Sequence, residues 1–108
     1  YLANKKMLEA VCAAHGVAPL FVWQPVQHYE YYPPTVKLVV DVQEMGLRTY
    51  TRMKALHGEG LTGPNFLWLA ELQAKPEFRE QFVYVDAFHY TSAFARAIAQ
   101  AIAGELGR

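Results

Sequence analysis

The chain has 108 residues, of which 53% are apolar and 19% are charged. This is enough chain for about one domain, and the composition is that of a folded protein rather than a disordered one. Ten Lys and Arg residues balance ten Asp and Glu residues, so the sequence has no basic excess that would attract the phosphates of a nucleic acid. Nucleic acid is therefore not an expected partner.

Cysteine content and apolar runs exclude two further classes of protein. The single cysteine, Cys12, rules out an intramolecular disulfide and a cysteine-based zinc site. The longest apolar run, Val17–Trp23, is far shorter than the ~20 residues that span a bilayer. No local histidine spacing indicates a metal site, and we expect neither a metal, nor a cofactor, nor a membrane span in this chain.

The first two predicted elements are a helix and a strand. The spacing predicts an amphipathic helix over Ala3–His15, which Gly16 ends. The residues expected on its core face are Leu8, Val11, Cys12 and His15. The short apolar segment Pro19–Pro25 then has the pattern of a strand buried on both faces in a parallel sheet.

The region 27–64 is too long for an ordinary connection, and we interpret it as an insertion or lid. Its segment Val36–Val42 is compatible with a strand or a helix, whereas the i+3 spacing of apolar residues predicts a helix over Gly46–His57. Before these segments lies a proline-rich loop with three tyrosines, Tyr29, Tyr31 and Tyr32. These rings either bind substrate, form a patch for a partner, or cover the edge of the core.

The rest of the chain is predicted to contain two short strands and a terminal helix. Asn65–Ala70 and Phe82–Val85 have strand character, with a polar turn or helix start over Pro76–Gln81 between them. Thr91 is a favourable N-cap residue for the terminal helix. The apolar residues that repeat every four positions along that helix are Phe94, Ile98, Ile102 and Leu106.

The residues most indicative of chemistry lie between the last predicted strand and this helix. Asp86 precedes His89 by three positions, so its carboxylate can fold back onto Nδ1 of the imidazole. Such a contact fixes the tautomer and leaves Nε2 able to take a proton from a hydroxyl nucleophile. A loop at the carboxyl end of a strand is also where α/β proteins gather catalytic groups.

This arrangement resembles the last conserved block of the SGNH (GDSL-type) hydrolases. The resemblance is carried by Asp86-Ala-Phe-His89, by the hydroxyl-bearing cap Thr91 and by the final amphipathic helix. Flanking segments in a similar order are Ala14–Val17, Phe21–Pro25, Asn65–Ala70 and Tyr84–Asp86. The resemblance implies a flavodoxin-like three-layer α/β/α fold with a parallel sheet, of which this chain is the C-terminal part. Phe94 departs from the family pattern, because members often have Gly after the cap.

The same resemblance implies hydrolysis of an ester or acyl bond in a small-molecule substrate, with Asp86 and His89 as the acid and base of a catalytic triad. The family's Gly-Asp-Ser nucleophile turn and its oxyanion Gly and Asn are missing from this sequence. They are expected upstream, so this chain alone is expected to be inactive.

The alternative is a non-catalytic α/β binding or assembly module. In that interpretation the tyrosine loop contacts a carbohydrate or a protein, and Asp86 and His89 form a structural hydrogen bond at the start of a helix. A Gly-Asp-Ser turn upstream of this sequence would favour the enzyme, and its absence would favour the binding module.

Overall fold

The computed structural model describes residues 1–31 and 40–108, and these form a mixed α/β arrangement that is about 51% helical. The helices are α1 (Leu2–Ala14), α2 (Val40–Gly58), α3 (Pro76–Arg79) and α4 (Ser92–Leu106), and the strands are β1 (Phe21–Trp23) and β2 (Phe66–Trp68). A short 3₁₀ helix covers Leu72–Ala74. The predicted α/β class is confirmed at this level.

Strands β1 and β2 pair in parallel, with Phe21 opposite Phe66 and Trp23 opposite Trp68. The connection between them contains α2, as a parallel pair requires a crossover. The predicted parallel pairing is thus present, but β1 is shorter than the segment Pro19–Pro25. It is also half-buried along its length rather than buried on both faces, because the described residues place only one strand beside it.

The predicted strand over Phe82–Val85 is wrong. The described chain has only an isolated antiparallel bridge there, between Tyr84 and Tyr90. Val83 and Tyr84 are buried while Phe82 and Val85 are exposed. The chain reverses at Asp86 and pairs with itself, and a four-residue apolar run does not distinguish this local pairing from a strand in a sheet.

Helix α1 lies where it was predicted, but its buried face is different. Leu8, Val11 and His15 are exposed, whereas Lys5 is only 4% exposed. The Lys5 ammonium donates to Glu9 and to Asn65 Oδ1 (2.7 Å) and lies 4.6 Å from the centroid of the Phe21 ring. A buried lysine is tolerated when its charge is paired in this way. The face of α1 that packs on the rest of the chain is therefore the face with Lys5 and not the predicted apolar stripe.

Helix α2 contains the predicted helix Gly46–His57 and begins earlier, at Val40. Tyr50 and Met53, on the predicted face, are buried. Most of Val36–Val42 lies outside the described residues, but its last three residues belong to α2 and are therefore helical.

The core consists of two clusters of buried residues. The first contains Tyr29, Tyr50 and Ala70, with Trp23, Val26 and Trp68 packed against it. The second contains Leu72, Val83, Tyr84 and Phe94 and is lined by α3 and α4. Phe94 is fully buried, so the residue that departs from the SGNH pattern anchors α4.

The N-terminus of α4 is capped as predicted, since the Phe94 N–H donates to Thr91 Oγ1 (3.3 Å). Among the described helices, none combines the length and the apolar character needed to cross a membrane.

Candidate active site

Asp86 and His89 are in direct contact. Asp86 Oδ2 lies 2.7 Å from His89 Nδ1. The other carboxylate oxygen, Oδ1, accepts from the backbone N–H groups of Phe88 and His89, each at 2.8 Å. One oxygen therefore shapes the loop, and the other orients the imidazole.

These bonds stabilise the charged carboxylate. The backbone N–H groups of Phe88 and His89, followed by the His89 side chain, lower the pKa of Asp86 to about 2. At neutral pH the carboxylate is ionised and can only accept hydrogen bonds, so His89 Nδ1 must donate. In the neutral ring, Nε2 is then the nitrogen with a free lone pair.

Two hydrogen bonds fix the loop against the segment that follows β1. The Gln27 side-chain amide donates to the Asp86 carbonyl (2.7 Å), and the Tyr90 hydroxyl donates to the Pro25 carbonyl (2.6 Å). The loop is closed by a bond from Val85 N–H to the His89 carbonyl (2.9 Å). The Asp–His pair therefore lies beside the carboxyl end of β1, although no strand of a sheet leads into it.

The pair is open to solvent. The side chain of His89 is 75% exposed and that of Asp86 is 53% exposed. A proton can therefore pass between Nε2 and a group approaching from outside. Chemically, a histidine held in one tautomer by a carboxylate and open to solvent can act as a general base.

The tyrosines predicted to bind substrate have different positions. Tyr29 is buried, packs on Tyr50 (5.3 Å between ring centroids) and donates to Glu71 Oε1 (3.3 Å). Tyr31 is half-buried and packs edge-on against Tyr84 (5.0 Å). Tyr32 lies outside the described residues. Tyr29 and Tyr31 therefore contribute to the two core clusters, while the role of all three tyrosines in substrate binding stays a prediction.

Sequence reasoning missed Gln73, which is fully buried in the 3₁₀ helix. Its amide nitrogen donates to the carbonyls of Val26 (2.7 Å) and Tyr29, and its amide oxygen accepts from the Tyr84 hydroxyl (2.5 Å). Gln73 thus joins the segment after β1 to the strand-like residues before Asp86. A single glutamine between Leu72 and Ala74 forms no motif by which this role could be recognised.

The ring of His28 is half-buried. It packs on the backbone of α2 so closely that a Cβ added to Gly46 would lie 2.1 Å from His28 Cδ2. Burial lowers the pKa of His28, so this ring is neutral at neutral pH. The sequence shows a glycine at position 46, but a glycine inside a helix does not by itself indicate a close contact, because it is also simply an unfavourable helix residue.

Among the residues that the structure describes, no three His, Cys, Asp or Glu side chains gather as a metal-binding group. Comparison of the chain with protein families, with curated proteins and with solved structures finds no match.

Proposed function

We propose that this chain supplies the Asp–His pair of an SGNH-like serine hydrolase that acts on ester or acyl bonds in small molecules. His89 is the general base, and Asp86 holds it in the tautomer whose Nε2 accepts a proton. The nucleophilic serine and the oxyanion donors belong to sequence outside these 108 residues. In this proposal the β1–β2 pair is part of a larger parallel sheet in a flavodoxin-like three-layer α/β/α fold.

The observation that carries the proposal is the contact between Asp86 Oδ2 and His89 Nδ1 at 2.7 Å, in a ring that is 75% exposed. A buried histidine needs partners within the protein for both of its ring nitrogens. Here one nitrogen is fixed by a carboxylate and the ring faces solvent, which is what proton transfer to an incoming group requires.

The test is hydrolysis of p-nitrophenyl acetate by the complete protein that contains this sequence. His89→Ala is expected to lower kcat by several orders of magnitude, because a serine hydroxyl is a poor nucleophile without its base. Asp86→Asn is expected to lower kcat with little effect on KM, because the amide favours the wrong imidazole tautomer.

His15→Ala is the matched control, since His15 is an exposed histidine at the C-terminal cap of α1; it should retain the wild-type rate. A fluorophosphonate probe should label a serine of the complete protein and block turnover. Wild-type kcat in His89→Ala, or labelling of no serine, would refute the proposal.

One observation favours the binding module as a second candidate. Asp86 Oδ1 accepts two backbone N–H bonds, a geometry that shapes a loop whether or not His89 takes part in chemistry. The exposed side chains of Val85 and Phe88 beside it are suited to contact with a partner. A complete protein without Gly-Asp-Ser and without esterase activity would support this candidate instead.

A further inference from the structure

A cleft of about 180 Å³ lies beside the Asp86–His89 loop. We call it the side cleft. Its walls come from the segment after β1, from the Tyr84–Tyr90 bridge and from the two residues between Asp86 and His89; the ones that matter here are Pro25, Val26, Tyr84, Ala87, Phe88 and Tyr90. The catalytic loop itself therefore forms one wall of the cleft.

The lining of the side cleft is mostly apolar, but it also includes Gln24 and His28. His28 Nδ1 is buried without a hydrogen-bond partner among the described residues, and burial lowers the pKa of this ring, so His28 adds a neutral imidazole to the lining. The hydroxyls of Tyr84 and Tyr90 are already bound, to Gln73 Oε1 (2.5 Å) and the Pro25 carbonyl (2.6 Å), so these two residues line the cleft with their rings. Its described lining contains no Asp, Glu, Lys or Arg. Charged groups would lose their hydration there without gaining a partner.

The size of the side cleft limits what it can hold. An apolar cavity of about 150 Å³ holds one benzene molecule, and the side cleft is slightly larger at about 180 Å³. It therefore accommodates one six-membered ring or a short branched chain. The Phe88 ring in this lining is 73% exposed, so it lies on the solvent side of the cleft.

The loop couples this cleft to the Asp–His pair. Asp86 Oδ1 accepts from the Phe88 N–H, and Asp86 Oδ2 contacts the His89 ring. One carboxylate thus sets both the position of the cleft wall and the orientation of the base. A substrate group seated in the cleft would place its neighbouring bond close to the loop.

We propose that the side cleft is the acyl subsite of the enzyme and takes an uncharged, ring-sized apolar group. This inference rests on the proposed hydrolase function. The substrate class it names is esters of small aromatic or branched carboxylic acids. Charged acyl groups are excluded by the lining.

Binding to the complete protein that contains this sequence tests the cleft without reference to activity. Benzyl alcohol is titrated into that protein while the methyl NMR signals of Val26 are followed, with benzoate and benzylammonium as charged controls. Saturable shifts are expected with benzyl alcohol alone. Ala87→Leu, which fills the cleft, should weaken binding at least fivefold, and Ala95→Leu on an exposed part of α4 should not. Absence of saturation, or equal binding by Ala87→Leu, would overturn the subsite.

Kinetics of the complete protein separate this inference from the proposed function. With p-nitrophenyl benzoate and p-nitrophenyl acetate as substrates, Ala87→Leu and Phe88→Ala should each lower the benzoyl-to-acetyl ratio of kcat/KM by about tenfold. Phe88→Ala changes an exposed side chain, so it tests the subsite even if Ala87→Leu misfolds. Turnover of neither ester by the wild type would refute the hydrolase, whereas turnover of both with unchanged ratios in the variants would refute only the acyl subsite.

Discussion

At Asp86 the two carboxylate oxygens have separate partners, so the shape of the loop and the orientation of His89 can be tested separately. The largest causes of the low Asp86 pKa are the N–H groups of Phe88 and His89, and the His89 side chain comes after them. In His89→Ala the Asp86 pKa should therefore stay below the ordinary aspartate range. Carboxyl ¹³C shifts recorded against pH measure this, and a return to the ordinary value would show that the imidazole dominates.

The same shift has a consequence for stability. Because folding lowers the Asp86 pKa to about 2, its stabilising contribution is present above the ordinary aspartate pKa and is lost as the pH falls through about 2. Asp86→Asn should thus make unfolding less dependent on pH between about 4 and 2. Urea unfolding at several pH values measures the slope, and an unchanged slope would contradict the assignment.

Among residues of its size, Gln73 should lower the free energy of unfolding the most when it is replaced. Gln73→Leu keeps the volume but leaves the Tyr29 carbonyl and the Tyr84 hydroxyl without a partner, while the Val26 carbonyl still accepts from the Tyr29 N–H. Each unpaired buried group costs about 1–3 kcal/mol, so the free energy of unfolding should fall by about 2 kcal/mol or more. Gln100→Leu, at an exposed position of α4, is the control. Equal losses in the two variants, measured by urea unfolding, would contradict the role of Gln73.

At the scale of elements, two glycines in helices should respond to alanine with opposite signs. A Cβ at Gly46 in α2 would lie 2.1 Å from His28 Cδ2, whereas a Cβ at Gly104 in α4 would meet nothing within 4 Å. Alanine gains up to about 1 kcal/mol over glycine inside a helix, so Gly104→Ala should raise the melting temperature. Gly46→Ala should lower the melting temperature, and adding His28→Ala to that variant should restore much of the lost stability. A rise with both glycine variants would show that His28 does not pack there.

The positions of the helices were predictable because their apolar spacing and caps are local signals. The Gly46–His57 helix, the Thr91 cap and the α1 span all agree with their patterns. Which face of α1 is buried was not predictable, because it depends on distant partners. Asn65 and Phe21 accommodate the Lys5 ammonium, and nothing near Lys5 in the sequence indicates them.

Val11, on the exposed apolar stripe of α1, can be compared with Val83 in the second core cluster. Val11 is 58% exposed and Val83 is 2% exposed. Val11→Ala should change the free energy of unfolding by less than about 0.5 kcal/mol. Val83→Ala should lower it by about 1–3 kcal/mol, since it removes buried methyl groups from the second core cluster. Equal losses of unfolding free energy in the two variants would show that the apolar stripe of α1 packs against other residues.

At the scale of the whole molecule, the candidate site was predicted from a local motif, and its surroundings were not. Asp86 and His89 are three residues apart, so their contact needs only a turn. Gln27 and Pro25 hold the loop from about sixty positions away, through side-chain bonds without a periodic signal. The two strands themselves could be predicted because Pro19–Pro25 and Asn65–Ala70 are short apolar runs, whereas their pairing with each other depends on the fold.

The buried tyrosines should make the molecule sensitive to alkali. Burial raises the pKa of Tyr50 and of Tyr90 to about 12 each, and raises that of Tyr84 as well. Above pH 10 the unfolded chain ionises its tyrosines while the folded chain does not, so stability is lost as the pH rises from about 10 to 12. Urea unfolding at pH 8, 10 and 11 measures the decline. Tyr50→Phe should make it shallower, and a decline that is independent of Tyr50 would contradict this account.

The proposed general base depends most on the state of the His89 ring, which ¹⁵N NMR of the imidazole observes directly. In the neutral ring, the ionised Asp86 carboxylate should hold the proton on Nδ1 and leave Nε2 with a pyridine-like shift. Asp86→Asn should move the proton to Nε2, and His15 in the same spectrum serves as a reference outside the loop. A wild-type His89 protonated on Nε2, or a tautomer mixture like that of His15, would contradict the proposed base.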